Sequence, residues 1–202
     1  MRDIFDLANL TQINWQEPYL RAYPYLIEYF SDLHEIGPSE VVRAAHMAYG
    51  WMPTILKMHW DIADEHLHAV AQTLTRARSG EDVTAAEMNL MASVVNNSLV
   101  GASKLLHFAA PESYPIWDSR VYRFVHEKAP YPYRLNNVDA FLQFVADVRA
   151  ISDDPRITNL QVFLKEKLGY PVTAIRAAEL IMFVHGANGT VEPDHSFAAK
   201  MD

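Results

Sequence analysis

Apolar residues recur at three- and four-residue spacing along almost the whole chain, and the sustained alternation that marks a half-buried strand is hard to find. The pattern predicts an all-α protein. A first helix follows Pro18, with Tyr19, Ala22, Leu26 and Tyr29 or Phe30 inward and Pro24 breaking or kinking its early part, and it stops near Ile36-Gly37-Pro38. Ser39 caps a helix from Glu40 to Tyr49, closed by Gly50 and Met52-Pro53. Thr54 then opens a long helix to Arg78, stopped by Ser79-Gly80. Thr84 and Glu87 form a capping-box start for a helix through Val95. Asn96-Asn97-Ser98 interrupts the pattern, and Asn97 or Ser98 caps a helix from Leu99 to Phe108. A proline-containing link leads to a helix from about Trp117 to Glu127, and a turn-rich stretch follows it. Three further helical patterns cover Val138 to Ile151, Ile157 to Leu168 and Val172 to Val184.

No repeat or low-complexity tract divides the chain, so a single compact helical unit is expected. If there are two lobes, they meet near 79–83 or 129–137. Half of the 202 residues are apolar, enough for a sizeable core. There is no cysteine, which excludes disulfides, thiolate metal sites and a cysteine nucleophile. The start of the chain is acidic and no apolar run approaches the ~20 residues of a membrane helix, so a cytoplasmic protein without a membrane partner is expected. The 25 acidic residues outnumber the 17 basic ones, for a net charge of −8, which argues against a general nucleic-acid coat. A local basic cleft is still possible: Lys104, Arg120, Arg123, His126 and Lys128 fall in one short span, with Asp118 and Glu127 as its acids.

That span also holds the candidate chemistry. Lys104 lies inside an apolar helix, between Val100, Ala102, Leu105 and Leu106, and Asp118 opens the next helix. An ordinary lysine amine, with a pKa near ~10.4, is protonated at neutral pH, so it becomes a nucleophile only when burial or charge lowers that value. A carboxylate at a helix N-terminus suits the helix dipole, and it can stabilise a sugar that turns cationic as a glycosidic bond breaks. His107, one turn beyond Lys104, either adjusts its proton or is a satisfied core histidine. The plainer reading of the same residues is a capping aspartate, a surface lysine and core aromatics.

The segment from Asn96 to Val125 runs helix end, polar turn, short helix with Lys104, proline link, aspartate, new helix. It resembles the catalytic region of the helix-hairpin-helix DNA glycosylase superfamily, in particular the 8-oxoguanine DNA glycosylases and related bacterial proteins. In those enzymes a lysine at the start of the hairpin's second helix attacks C1′ of the damaged nucleoside, and an aspartate in a Pro-Val-Asp-Thr-His-Val type sequence opens the following helix. Pro115-Ile116-Trp117-Asp118-Ser119-Arg120-Val121 looks like that sequence with one residue inserted. The resemblance implies a helix-hairpin-helix glycosylase-like core and cleavage of the N-glycosidic bond of a damaged base in DNA, with lyase chemistry through a lysine imine. Lys104 would be the nucleophile and Asp118 its electrostatic partner. The flipped-out base would stack on aromatics such as Tyr114, Trp117 and Tyr122, and Arg120 and Arg123 would meet phosphate. Where the family has a Gly-hydrophobic-Gly turn, this chain has only Gly101, between Val100 and Ala102. With the acidic balance, that supports an alternative: a non-catalytic helical binding protein, with a protein partner, that keeps the hairpin as a remnant.

Two other clusters have plainer readings. Asp61, Glu65 and His68 share one face of the predicted long helix, and His59 and His66 lie near it, but no recognised zinc motif is present and the cluster reads as a solvated acidic face. Tyr19, Tyr23, Tyr25, Tyr29 and Phe30 read as packing. No cofactor is expected and no metal site is assigned, with metal-dependent hydrolysis at the His59–His68 cluster kept as a minor alternative.

Overall fold

A computed structural model describes residues 2–52, 54–60 and 64–187. Eleven helices follow one another among them: α1 (Ile4–Ala8), α2 (Pro18–Ser31), α3 (Pro38–Trp51), α4 (Asp64–Arg78), α5 (Ala85–Val94), α6 (Leu99–Ala109), α7 (Ser119–His126), α8 (Pro132–Leu135), α9 (Val138–Ser152), α10 (Ile157–Leu168) and α11 (Ala174–Gly186). The protein is all-α, and one contiguous apolar cluster runs from Ile4 in α1 to Met182 in α11. None of the described helices is long and apolar enough to cross a membrane.

Local sequence explains most helix starts. Thr84 accepts from the Glu87 amide while the Glu87 carboxylate reaches back to the Thr84 amide, the reciprocal capping box expected at α5. Ser98 caps α6 through the Gly101 amide, and Asn137 and Thr173 cap α9 and α11 in the same way. α3 begins one residue before the Ser39 cap predicted for it, because Pro38 takes the first helical position and Glu40 bonds back to the Gly37 amide (3.1 Å).

Two expectations are corrected. Pro24 does not break α2, which continues unbroken from Pro18 to Ser31. The amide that proline lacks would have bonded to the Leu20 carbonyl. The Tyr170 hydroxyl donates to that carbonyl instead, at 2.7 Å. Nor does a helix run from Thr54 to Arg78: residues 54–60 are non-helical and α4 starts only at Asp64. Asn96 holds this connection by donating to the Ile55 carbonyl (2.9 Å) and accepting the Lys57 amide, and a bridge pairs Met58 with Val95. Asn96 and Asn97 both take left-handed backbone, with φ of 57° and 49°, a conformation asparagine tolerates better than most residues.

α5 and α6 thus form a helical hairpin. α6 is its central member: apart from Val100, every residue of α6 is buried, with α2, α3, α4 and α5 around it. α7 and α11 lie so close that a Cβ built on Gly186 would fall 1.9 Å from the Arg120 carbonyl oxygen. Only glycine fits there. Gly101 fills a similar place within α6, where a Cβ would fall 2.2 Å from the Tyr49 hydroxyl. Its missing side chain makes room for Tyr49.

Candidate active site

The Lys104 and Asp118 backbones are fixed by the residues just before them. The Ser103 hydroxyl accepts the Trp117 amide at 3.1 Å and lies 3.2 Å from the Trp117 carbonyl, joining α6 to the link that enters α7. The Trp117 ring is fully buried against Tyr122, Phe141 and Phe144, and its indole N–H donates to the Leu135 carbonyl at 3.0 Å. A buried tryptophan bonded at both backbone and ring gives Asp118 a firm base. Asp118 caps α7 with one oxygen: Oδ1 accepts the Arg120 and Val121 amides, both at 2.9 Å. Oδ2 has no partner among the described residues.

Lys104, Asp118 and Arg120 line one cavity of about 600 Å³, and Tyr19, Trp51 and Phe183 form its aromatic wall. Tyr19 meets both other rings edge-on, with centroids 6.3 Å from Trp51 and 5.6 Å from Phe183. The Arg120 guanidinium lies over the Phe183 ring at 4.6 Å. Only 6 % of Lys104 is exposed, and its amine makes no hydrogen bond or ion pair with the described residues. Burial pushes the Lys104 ammonium down to about 8, with Arg176 adding to the effect and Asp118 and Glu179 opposing it.

Two more charged residues from α11 line the cavity. Arg176 is 3 % exposed and Glu179 is 0 % exposed. The Arg176 guanidinium donates to Glu179 Oε2, leaving Oε1 buried without a partner. Burial raises the Glu179 carboxyl to about 7 against the pull of Arg176. Arg176 also stacks over the Tyr23 ring at 4.8 Å. Burial disfavours its charge, but Glu179 and Tyr23 outweigh that and raise its pKa. Buried Lys104, Arg176 and Glu179 therefore share one cavity with the half-buried Asp118.

The other sequence-selected residues lie outside this cavity. His107 is fully buried, paired with the Tyr23 hydroxyl (2.8 Å) and the Tyr114 carbonyl (2.6 Å), and burial, assisted by Arg176, pushes its imidazole down to about 3. It is neutral at ordinary pH and structural in its contacts. Tyr114 is 1 % exposed, and its hydroxyl accepts the Val83 amide and donates to the Glu81 carbonyl. Tyr122 packs on Trp117 and His126, and Arg123 donates to the Gly186 carbonyl at 3.2 Å. Comparisons of the chain with protein-family models, with curated proteins and with solved structures give no match.

His59 lies in the non-helical connection and so shares no helical face with His66, and its Nε2 accepts from the Asn97 side-chain amide at 3.1 Å; Asp61 lies outside the described residues. Among the described residues no group of three or more His, Asp or Glu side chains could hold a metal ion.

Sequence reasoning missed Ser103, Arg176, Glu179 and the wall position of Tyr19. For the α11 pair a signal was present: Arg176 and Glu179 are the only charged residues in an otherwise apolar stretch from Ala174 to Val184. Charges placed in such a stretch are paired or functional.

Proposed function

We propose that this cavity is the active site of a DNA N-glycosylase of the helix-hairpin-helix kind, with lysine-imine lyase chemistry. One observation carries the reading: Lys104 is nearly buried and its amine has no partner among the described residues, on the wall of a cavity large enough for a base and shared with Asp118. A neutral Lys104 Nζ attacks C1′, the C1′–Nζ bond forms as the C1′–N bond to the base breaks, and the opened sugar becomes an imine. The Asp118 carboxylate stabilises positive charge on the sugar as the bond breaks. Tyr19, Trp51 and Phe183 supply flat faces for a base turned out of the stack, and Arg120, which lines the same cavity, would neutralise a phosphate of the backbone.

A second reading is favoured by one observation. The hairpin turn is tied down by the 54–60 connection, with Asn96 engaged by Ile55 and Lys57 and Asn97 by His59, and Gly101 is used up in packing on Tyr49. The turn's backbone is then poorly placed to meet phosphate, which fits a non-catalytic helical binding protein. Borohydride trapping of the wild-type protein and Lys104→Ala on duplexes with abasic sites and oxidised guanine, at low salt, separates the two. We expect a covalent adduct that is lost in the variant. If the wild type neither traps nor releases a base on these duplexes, while Lys104→Ala folds and keeps a protein partner, the binding reading stands and the enzymatic one falls.

A further inference from the structure

Six charged side chains line the cavity around Lys104, and three of them, Lys104, Arg176 and Glu179, are buried. Lys104 comes from α6, Asp118 from the cap of α7, Arg120 from α7 itself, Glu17 from the cap of α2, and Arg176 and Glu179 from α11; Tyr19 and Tyr23 face them from α2 and Tyr170 stands by Arg176. With Lys104 as the ammonium and Glu179 as the carboxylate, three cations (Lys104, Arg120, Arg176) face three anions (Glu17, Asp118, Glu179) and the lining is neutral. An amine that is to attack must give up its proton, and that proton's release to bulk water would leave a net negative charge buried, which is costly. Among the described residues, Glu179 Oε1 is the one buried side-chain oxygen lining this cavity without a partner. We propose that Glu179 is a positioning residue for Lys104: Arg176 holds its Oε2, and its open Oε1 takes up the proton that Lys104 loses. One N–H bond breaks on Nζ and one O–H bond forms on Oε1, so the recess keeps the same net charge before and after. The two side chains make no direct ion pair among the described residues, so the proton crosses through a bridging water.

This inference rests on the reading of Lys104 as a nucleophile, so its test uses no DNA. The full-length protein would be alkylated with glycolaldehyde and cyanoborohydride across a pH series, and the yield at Lys104 read by peptide mass spectrometry. In wild type the yield should rise to half its plateau near pH 8. In Glu179→Gln, which keeps the Arg176 contact and removes the charge, that midpoint should fall by at least one pH unit, so that Lys104 reacts several-fold faster at pH 7. An unmoved midpoint, or one that climbs towards an ordinary lysine because the variant has loosened, overturns the proposal. A second measurement guards against a folding effect of that variant. In Lys104→Met, carbon-13 titration of the Glu179 carboxyl should show its midpoint rising above the wild-type value, since its cation is gone; no rise overturns the coupling. Failure of the DNA reading shows instead as absent trapping on duplexes with both titrations as expected.

Discussion

Replacing Gly186 by alanine tests how firmly α7, and with it Asp118 and Arg120, is held against α11. A Cβ there would stand 1.9 Å from the Arg120 carbonyl oxygen, 2.6 Å from its carbonyl carbon and 3.2 Å from its Cα. All three are backbone atoms, so no side chain can swing aside, and the two helices must part by about 1.5 Å to reach an ordinary contact. Overpacking of this kind destabilises by about 1–3 kcal/mol, and backbone contacts lie towards the upper end. Alanine recovers less than ~1 kcal/mol of helix propensity, because Gly186 ends its helix. The expected net loss is about 1–2 kcal/mol, and for a chain of this size each kcal/mol lowers Tm by ~2–4 °C. Gly50→Ala is the control: it lies near the end of α3, where a Cβ would meet nothing within 4 Å, and should leave Tm unchanged or slightly raised. Differential scanning calorimetry of the wild type and both variants makes the comparison. If Gly186→Ala melts at or above the wild type, the close approach of α7 and α11 is not as described.

Acid should expose His107: its imidazole is held neutral down to about 3, whereas its ordinary value is 6.5, so the unfolded chain takes up a proton that the folded one refuses. Stability contributed by the neutral ring is fully present above pH 6.5 and is lost at about 1.4 kcal/mol per pH unit as pH falls towards 3. Urea unfolding at pH 7 and pH 5 should show His107→Gln gaining roughly 2 kcal/mol on the wild type between the two, and an equal gap at both values refutes this. Tyr170→Phe should cost about 1–2 kcal/mol by leaving the Leu20 carbonyl without a donor. In a Pro24→Ala background the helix regains its own amide, so a double-mutant cycle in chemical denaturation should show the tyrosine's loss shrinking by at least ~0.5 kcal/mol. Strict additivity would mean that the hydroxyl does not replace the proline's missing bond.

Helices announced by their own residues were legible. Thr84 with Glu87, Ser98 and Asp118 each place a side-chain acceptor where free amides need one, and α5, α6 and α7 begin there. The connection at 54–60 was not legible, because Ile55, Leu56 and Met58 have helical spacing and the groups that hold them extended, on Asn96 and Val95, lie some forty residues away. The five-residue α1 is likewise a tertiary product, its end fastened where Thr11 bonds to His185 (2.8 Å). In the candidate site, Lys104, Asp118 and Arg120 were found through their local motif, and they do share a cavity. Periodicity could not separate them from His107, Tyr114, Trp117 and Tyr122, because α6 is buried almost all round and has no polar face to orient it. Arg176 and Glu179 meet Lys104 only through the fold, from the far end of the chain.

The burial of α6 has a consequence for how this protein can fail. Lys104 departs from ordinary lysine behaviour only while the four helices around α6 exclude water from it. Local opening that bares α6 needs nearly the whole molecule to open with it, so amide hydrogens along Leu99–Ala109 should exchange only at the rate set by global unfolding. Lesions scattered over the core, far from the cavity, would then silence the amine in proportion to the stability they remove. The nucleophile has no reserve of its own: its reactivity is a collective property of the fold.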